Sequence, residues 1–190
     1  MPPVEGTQPD HYLVIDLEAT CDDGGRVPRA EMEIIEIGAV MVSAETLHPL
    51  AEFQSFVRPR RHPTLTAFCS RLTSISQADV DAAPLFPEVL ESLRGWAYGY
   101  SAFCFGSWGD YDRAQLHSDC RHHGVRYPLG TAHLNIKKAF SEAIGSTKRF
   151  GMGAALTRVG LTLEGTHHRG IDDARNIARL LPWALGRNGG

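Results

Sequence analysis

Asp16 and Glu18 stand two residues apart in the apolar run HYLVIDLEAT, His11 to Thr20. Side chains at i and i+2 of a strand share a face, so the two carboxylates stand together while Ile15 and Leu17 point the other way. Acids in a buried apolar strand are costly unless a cation, an arginine or a proton relieves them. This pair alone fits a structural ion or arginine partners as well as it fits catalysis. Further acids converging on the same place would favour catalysis.

The stretch GTHHRGIDDARN, Gly165 to Asn176, carries two adjacent histidines and two adjacent aspartates. Helical phase separates the aspartates. Asp173 is in register with Ile177, Leu180, Leu181 and Ala184, the apolar stripe that must face a core, whereas Asp172 is in register with Arg175, Asn176 and Arg179 on the polar side. Both suit the positive end of a helix dipole, but that does not explain an acid at the head of the buried stripe. In GDYDRAQLHSDCRHHG, Asp112 is likewise in phase with Leu116 and Cys120, while Asp110 is in phase with Ala114 and His117 and is the better cap. Asp16, Glu18, Asp112 and Asp173 are then four acids able to meet at one edge of a sheet, with His168 close by on a glycine-flanked loop. Four carboxylates suit hard divalent cations such as Mg²⁺ or Mn²⁺, and two such ions suit in-line displacement at phosphorus.

Positioning them requires a sheet. HYLVIDLEAT, EIIEIGAVMVSAE and LAEFQSFVRP read as three strands with short links, an antiparallel meander. LFPEVLESLRGWA places Phe86, Val89, Leu90 and Leu93 at helical spacing, and YSAFCFGSW follows as a strand, the order of a parallel crossover. GDYDRAQLHSDCRHHG reads as a helix stopped by Gly124, AHLNIKKAF as a strand running into a helix, and MGAALTRVGL and GIDDARNIARLLPWAL as helices. The fold class is α/β, a mixed five- to six-stranded sheet flanked by helices, in a single domain over 10–185 with tails at 1–9 and 186–190.

Composition narrows the classes. Hydrophobic residues make up 43% and charged residues 22% of the 190 residues, as in soluble globular proteins. The first nine residues have neither a basic start nor an apolar run, and nothing approaches the roughly 18 apolar residues of a membrane span; a cytoplasmic protein without membrane contact is expected. Cys21, Cys69, Cys104 and Cys120 are widely spaced and read as reduced thiols; Cys120 with His122 and His123 carries little weight as a metal site. A net charge of −3 argues against coating nucleic acid by bulk electrostatics, although RPRRH (Arg58 to His62), Lys137 with Lys138, and Lys148 with Arg149 could form local basic patches or plain solvated loops.

Taken in order, DLEATC, EIIEIGAV, LTSISQADVDAAPLFPEVL, SWGDYD and HHRGIDDARNIARLL resemble the motifs of the DEDDh 3′→5′ exonucleases, over roughly Tyr12 to Leu185. The chain is most similar to their subgroup containing the histone-mRNA 3′-exonuclease (Eri-1-like) and its bacterial relatives. The resemblance implies an RNase H-like fold and hydrolysis of single-stranded RNA, or DNA, from the 3′ end to nucleoside 5′-monophosphates. It implies two ions, Mg²⁺ or Mn²⁺, with Asp16 bridging them, Glu18 and Asp173 completing the first site and Asp112 holding the second. The family's histidine precedes its last aspartate by five positions, which fits His168 with Asp173 and equally His167 with Asp172. Helix phase breaks the tie toward His168 as the base that takes a proton from the attacking water. Trp108, Ala19, Thr20 and His168 are the implied contacts to the terminal nucleotide, Trp108 by stacking on its base or else as plain core.

Trp108 stands where proofreading DNA exonucleases usually carry Asn, which lowers the case for proofreading. The added RNA-binding module of the histone-mRNA enzyme has no counterpart in these residues, so its substrate choice does not transfer. A DNA-repair or short-oligonucleotide exonuclease on the same site is the alternative, and a catalytically silent nucleic-acid-binding regulator a more distant one. No obligate protein partner is expected.

Overall fold

The computed structural model describes residues 8–187. The first apolar run forms β1 (His11–Ala19), and the next two form β2 (Ile34–Ser43) and β3 (Pro49–Phe56). Two short helices follow, α1 (Ala67–Thr73) and α2 (Gln77–Asp81), then α3 (Phe86–Ala97), β4 (Phe103–Ser107), α4 (Tyr111–His122), β5 (His133–Asn135), α5 (Ile136–Ala143), α6 (Met152–Arg158) and α7 (Gly170–Ala184). The strands form one five-stranded sheet in the order β3-β2-β1-β4-β5. β1, β2 and β3 are antiparallel neighbours, while β4 lies parallel to β1 and β5 parallel to β4. This is the expected meander followed by crossovers.

The sheet is buried on both faces by the alternation of its own side chains. Leu13, Ile15 and Leu17 pack with Phe86, Leu93, Leu116 and Cys120 under α3 and α4, whereas Val14 and Val40 pack with Phe140, Met152, Ile177 and Leu181 under α5, α6 and α7. Fully burying one such side chain contributes roughly 1.5–3 kcal/mol, so register is strongly enforced: a one-residue slip of β1 would drive Asp16 and Glu18 into the α3–α4 core.

Helices α1 and α2 were not legible as helices. At seven and five residues they are too short to show a hydrophobic period. Their signal lies in the caps: Thr66 Oγ1 accepts from Cys69 N–H at 3.0 Å, and Ser76 with Asp79 forms a capping box. Among the described residues, no helix is long and apolar enough to cross a membrane. The expected tails, 1–9 and 186–190, fall largely outside the described residues.

Candidate active site

β1 pairs with β4 only from His11 opposite Phe103 to Val14 opposite Gly106. Beyond Gly106 the two parallel strands separate at their carboxyl ends, where open α/β sheets place their ligand sites. A cleft of about 350 Å³ opens there, and Asp16, Glu18, Asp112, Asp173, His167, His168, Trp108 and Tyr111 are among the residues that line it.

Asp16 and Glu18 leave β1 toward α7, as their spacing requires. Asp173 meets them from the first turn of α7, 5% exposed, and one ligand atom from each of the three lies within 4.8 Å of the others. Asp112 arrives from the first turn of α4, 4% exposed. Its Oδ1 accepts from the N–H of Leu17 at 3.1 Å, so α4 is tied to the stretch of β1 that β4 no longer pairs, though β2 still does.

Crowding of negative groups away from water is visible in their protonation. Burial, then the charges of Asp112, Glu18, Asp173 and Glu36, holds Asp16 well above the usual carboxylate range. Burial, with Asp173, Glu36 and Asp112, lifts Glu18 from 4.5 to about 8. Burial lifts Asp112 to about 7 against the opposing hydrogen bond from Leu17. Such a cluster is relieved by positive charge, and a set of oxygen donors matches hard divalent cations.

The two histidines occupy different positions in this cleft. His167 is the more exposed and places Nδ1 at 3.0 and 3.1 Å from the two carboxylate oxygens of Asp173. His168 sits in the left-handed region at φ 64° and donates its backbone N–H to Asp173 Oδ2 at 3.0 Å. Its ring stacks on that of His167, centroids 4.0 Å apart. Burial, then the neighbouring His167, lowers the His168 pKa, with Asp173 opposing, so its imidazole is neutral and able to accept a proton at pH 7.

Trp108 is half-buried. Its Nε1 donates to the Phe150 carbonyl at 3.1 Å and its ring packs near Phe140, so it serves as core and as cleft wall together. Ala19 and Thr20 are not brought to the cleft: both are buried, and Thr20 Oγ1 accepts from the N–H of Glu33 at 2.9 Å, joining β1 to the start of β2.

Two expectations about polar residues are corrected. Asn176 does not lie on an outer face; it is fully buried, and its amide accepts from Glu164 N–H and donates to the carbonyls of Glu164 and Asp172. Helix phase counts side-chain directions, but a loop folded over the polar side buries whatever it covers. Asp110 occupies the cap position of α4 without capping it; its carboxylate instead accepts from Asn135 Nδ2 at 2.8 Å. Asp172 is outward as expected, though it does more than answer a dipole, since it accepts from Thr166 N–H at 2.9 Å and pairs with Arg175 at 2.8 Å.

Glu36 was missed as a site residue. Fully buried on β2 opposite Glu18, it accepts from the N–H of Gly170 at 3.0 Å, from Arg169 Nε at 3.1 Å and from Gln54 Nε2 at 3.0 Å. It therefore pins the start of α7, three residues before Asp173. Gly38 permits the approach: a Cβ there would lie 2.1 Å from the Gly170 carbonyl carbon. An acid and a glycine two apart in the otherwise apolar run of β2 were the available signal, the same one that marks Asp16 and Glu18.

The exonuclease family profile RNase T matches residues 13–181. The chain is 34% identical over 181 residues to 3′-5′ exoribonuclease 1 of Homo sapiens, covering 90% of this chain and 51% of that protein. It is 30% identical to the 3′-5′ exonuclease eri1 of Schizosaccharomyces pombe, covering 90% and 66%. It thus spans about half the length of the human relative. Among solved structures, the nuclease domain of 3′hExo, described as a DEDDh family member bound to rAMP, superposes with a TM-score of 0.86 at 30% identity, covering 95% of this chain and 94% of that one. A 3′-exonuclease described in 3′-end specific recognition of histone mRNA stem-loop gives a TM-score of 0.85 at 30% identity, covering 95% and 65%.

Proposed function

From the premise that the chain belongs to the RNase T exonuclease family, as a DEDDh-type member with an RNase H-like fold, we propose that it hydrolyses the terminal phosphodiester of single-stranded RNA from the 3′ end. The observation that carries this is the convergence of Asp16, Glu18, Asp112 and Asp173 in one cleft beside His168. The names of its relatives, exoribonucleases, support RNA over DNA.

The family is divalent-metal dependent, and these carboxylates fit such ions, Mg²⁺ or Mn²⁺, as a buried acidic set without cations of its own. When bound, the ions supply the positive charge that offsets the acids and the charge developing on the phosphate and the leaving 3′ oxygen. Asp16, Glu18 and Asp173 would hold one ion, and Asp112, aimed by the Leu17 N–H, would help hold a second. His168, neutral at pH 7, takes the proton of the attacking water and passes it to solvent. The half-exposed face of Trp108 offers a stacking surface to the terminal base. The four cysteines are free thiols, as their wide spacing predicts.

The test is shortening of 5′-labelled linear RNA and DNA with a 3′ hydroxyl or a 3′ phosphate, beside internally labelled closed circles. Stepwise shortening of the linear 3′-hydroxyl RNA to mononucleotides, abolished by chelator, is expected. Equal cleavage of circles would overturn the exonuclease reading, and faster turnover of DNA would overturn the RNA preference.

A further inference from the structure

Of the three basic runs in the sequence, the fold absorbs one. In RPRRH, Arg58 donates to the Ala83 carbonyl, Arg61 pairs with Asp119 at 3.4 Å, and the backbone N–H groups of Arg60, Arg61 and His62 converge on the buried Glu33 carboxylate. The other two runs are brought together. Lys137 and Lys138 from the first turn of α5 and Arg149 from the loop before α6 line one hollow of about 360 Å³ with Gly109, Asp110 and Asn135.

This hollow adjoins the cleft through two segments of continuous chain. Trp108 and Tyr111 line the cleft, while Gly109 and Asp110 between them line the hollow; Gly151 and Met152 line the cleft, and Arg149 lines the hollow. The Trp108 indole clamps the two segments by its bond to the Phe150 carbonyl. The stem of Lys137 reaches Gly109, its Cδ 3.9 Å from where a Cβ would stand. Gly109 takes φ 112°, a conformation that L side chains rarely adopt.

Asp110 also lines the hollow, its carboxylate accepting from Asn135, and Glu142 pairs with Arg149 at 3.2 Å; Lys137 and Lys138 stand outside the ion pairs formed by the described residues. Asp22, Glu164 and Asp172 are each paired with an arginine. For a protein of net charge −3, a cationic hollow beside the cleft is a local device. Fixed cations beside a stacking aromatic are what a single-stranded backbone follows.

We propose that Lys137, Lys138 and Arg149 hold the phosphates immediately upstream of the scissile bond, which gives the strand its direction of entry and makes oligonucleotides of several residues better substrates than dinucleotides. The inference rests on the 3′-exonuclease reading and answers which length class that site takes. Recognition is of phosphate, so RNA and DNA strands should share it.

The double variant Lys137→Gln/Lys138→Gln keeps both stems and removes both charges. It is compared with wild type on an octanucleotide RNA, its DNA counterpart, and thymidine 5′-monophosphate p-nitrophenyl ester, a small ester with no upstream phosphate. For both octanucleotides KM should rise about tenfold with kcat held, and the slope of log KM against log salt should fall by about 1.4, at roughly 0.7 per phosphate neutralised. Turnover of the small ester should be unchanged. If all three substrates lose equally, the lysines support the fold or the acids; if none changes, the hollow is solvated surface; either result overturns the proposal. If the wild type cleaves nothing, the exonuclease reading fails separately, and fluorescence anisotropy of the labelled octanucleotides in chelator still decides the hollow: unchanged affinity in the double variant overturns it.

Discussion

Replacing Glu18 by Gln separates the cost of the acidic site from its use. In the metal-free protein, burial and three neighbouring carboxylates lift Glu18 from 4.5 to about 8. A folded-state pKa above the unfolded one means the native protein binds the proton more tightly. Stability is therefore full below pH 4.5 and falls as pH rises toward 8, at about 1.4 kcal/mol per pH unit for one group. Across that window the ceiling is about 5 kcal/mol; protons shared with Asp16 and Asp112 bring the expected gain for Glu18→Gln to about 2 kcal/mol or more at pH 8 in chelator, since Gln cannot ionise. For a chain of this size that is roughly 4–8 °C in Tm. The assay is thermal unfolding at pH 4 and pH 8, in chelator and in saturating Mg²⁺. The variant should melt higher only at pH 8 without metal, and the order should reverse when Mg²⁺ binds the wild type, where a hundredfold excess over Kd is worth about 2.7 kcal/mol. Equal melting at pH 8 in chelator, or the same gain at pH 4, would refute the electrostatic account and leave packing as the cause.

Asp173→Ala should remove nearly all RNA turnover with the fold intact by circular dichroism, whereas Asp172→Ala should keep turnover and lose about 1–2 kcal/mol in a denaturant melt, because Thr166 N–H and Arg175 lose their partner. His168→Ala should lower kcat about 10²- to 10⁴-fold, while His167→Ala, which removes a contact to Asp173 and the ring stacked on His168 but no proton acceptor for the water, should stay near wild type; the reverse order in single-turnover rates would make His167 the base. Gly38→Ala should displace the start of α7, since a Cβ would stand 2.1 Å from Gly170. Turnover and Tm should fall together there, and a stable, active Gly38→Ala would contradict the observed approach of α7 to β2.

Much of the site was legible because its positions follow local periodicity. Period two in β1 puts Asp16 and Glu18 on one face, and the helical period puts Asp173 and Asp112 inward; the structure finds all four in one cleft. Family motifs, read in order, added which chemistry such a cleft serves. Local patterns are set by neighbours in the chain, and those neighbours are in the sequence.

What joins distant segments was not legible there. Asn176 reads as surface by phase, yet the loop around Glu164 covers it. Glu36 reads as an odd acid in a strand until α7 is laid across β2, where its carboxylate meets Gly170 and Arg169. The two adjacent histidines, tied by motif spacing, can be ordered by helix phase, but which ring touches Asp173 depends on the left-handed turn at His168. Lys137 and Arg149 are twelve positions apart and become one cationic hollow only because α5 and the loop before α6 fold against Gly109. Periodicity constrains the direction of a side chain; its partner is decided by tertiary packing, where long-range contacts fix which segments come within bonding distance.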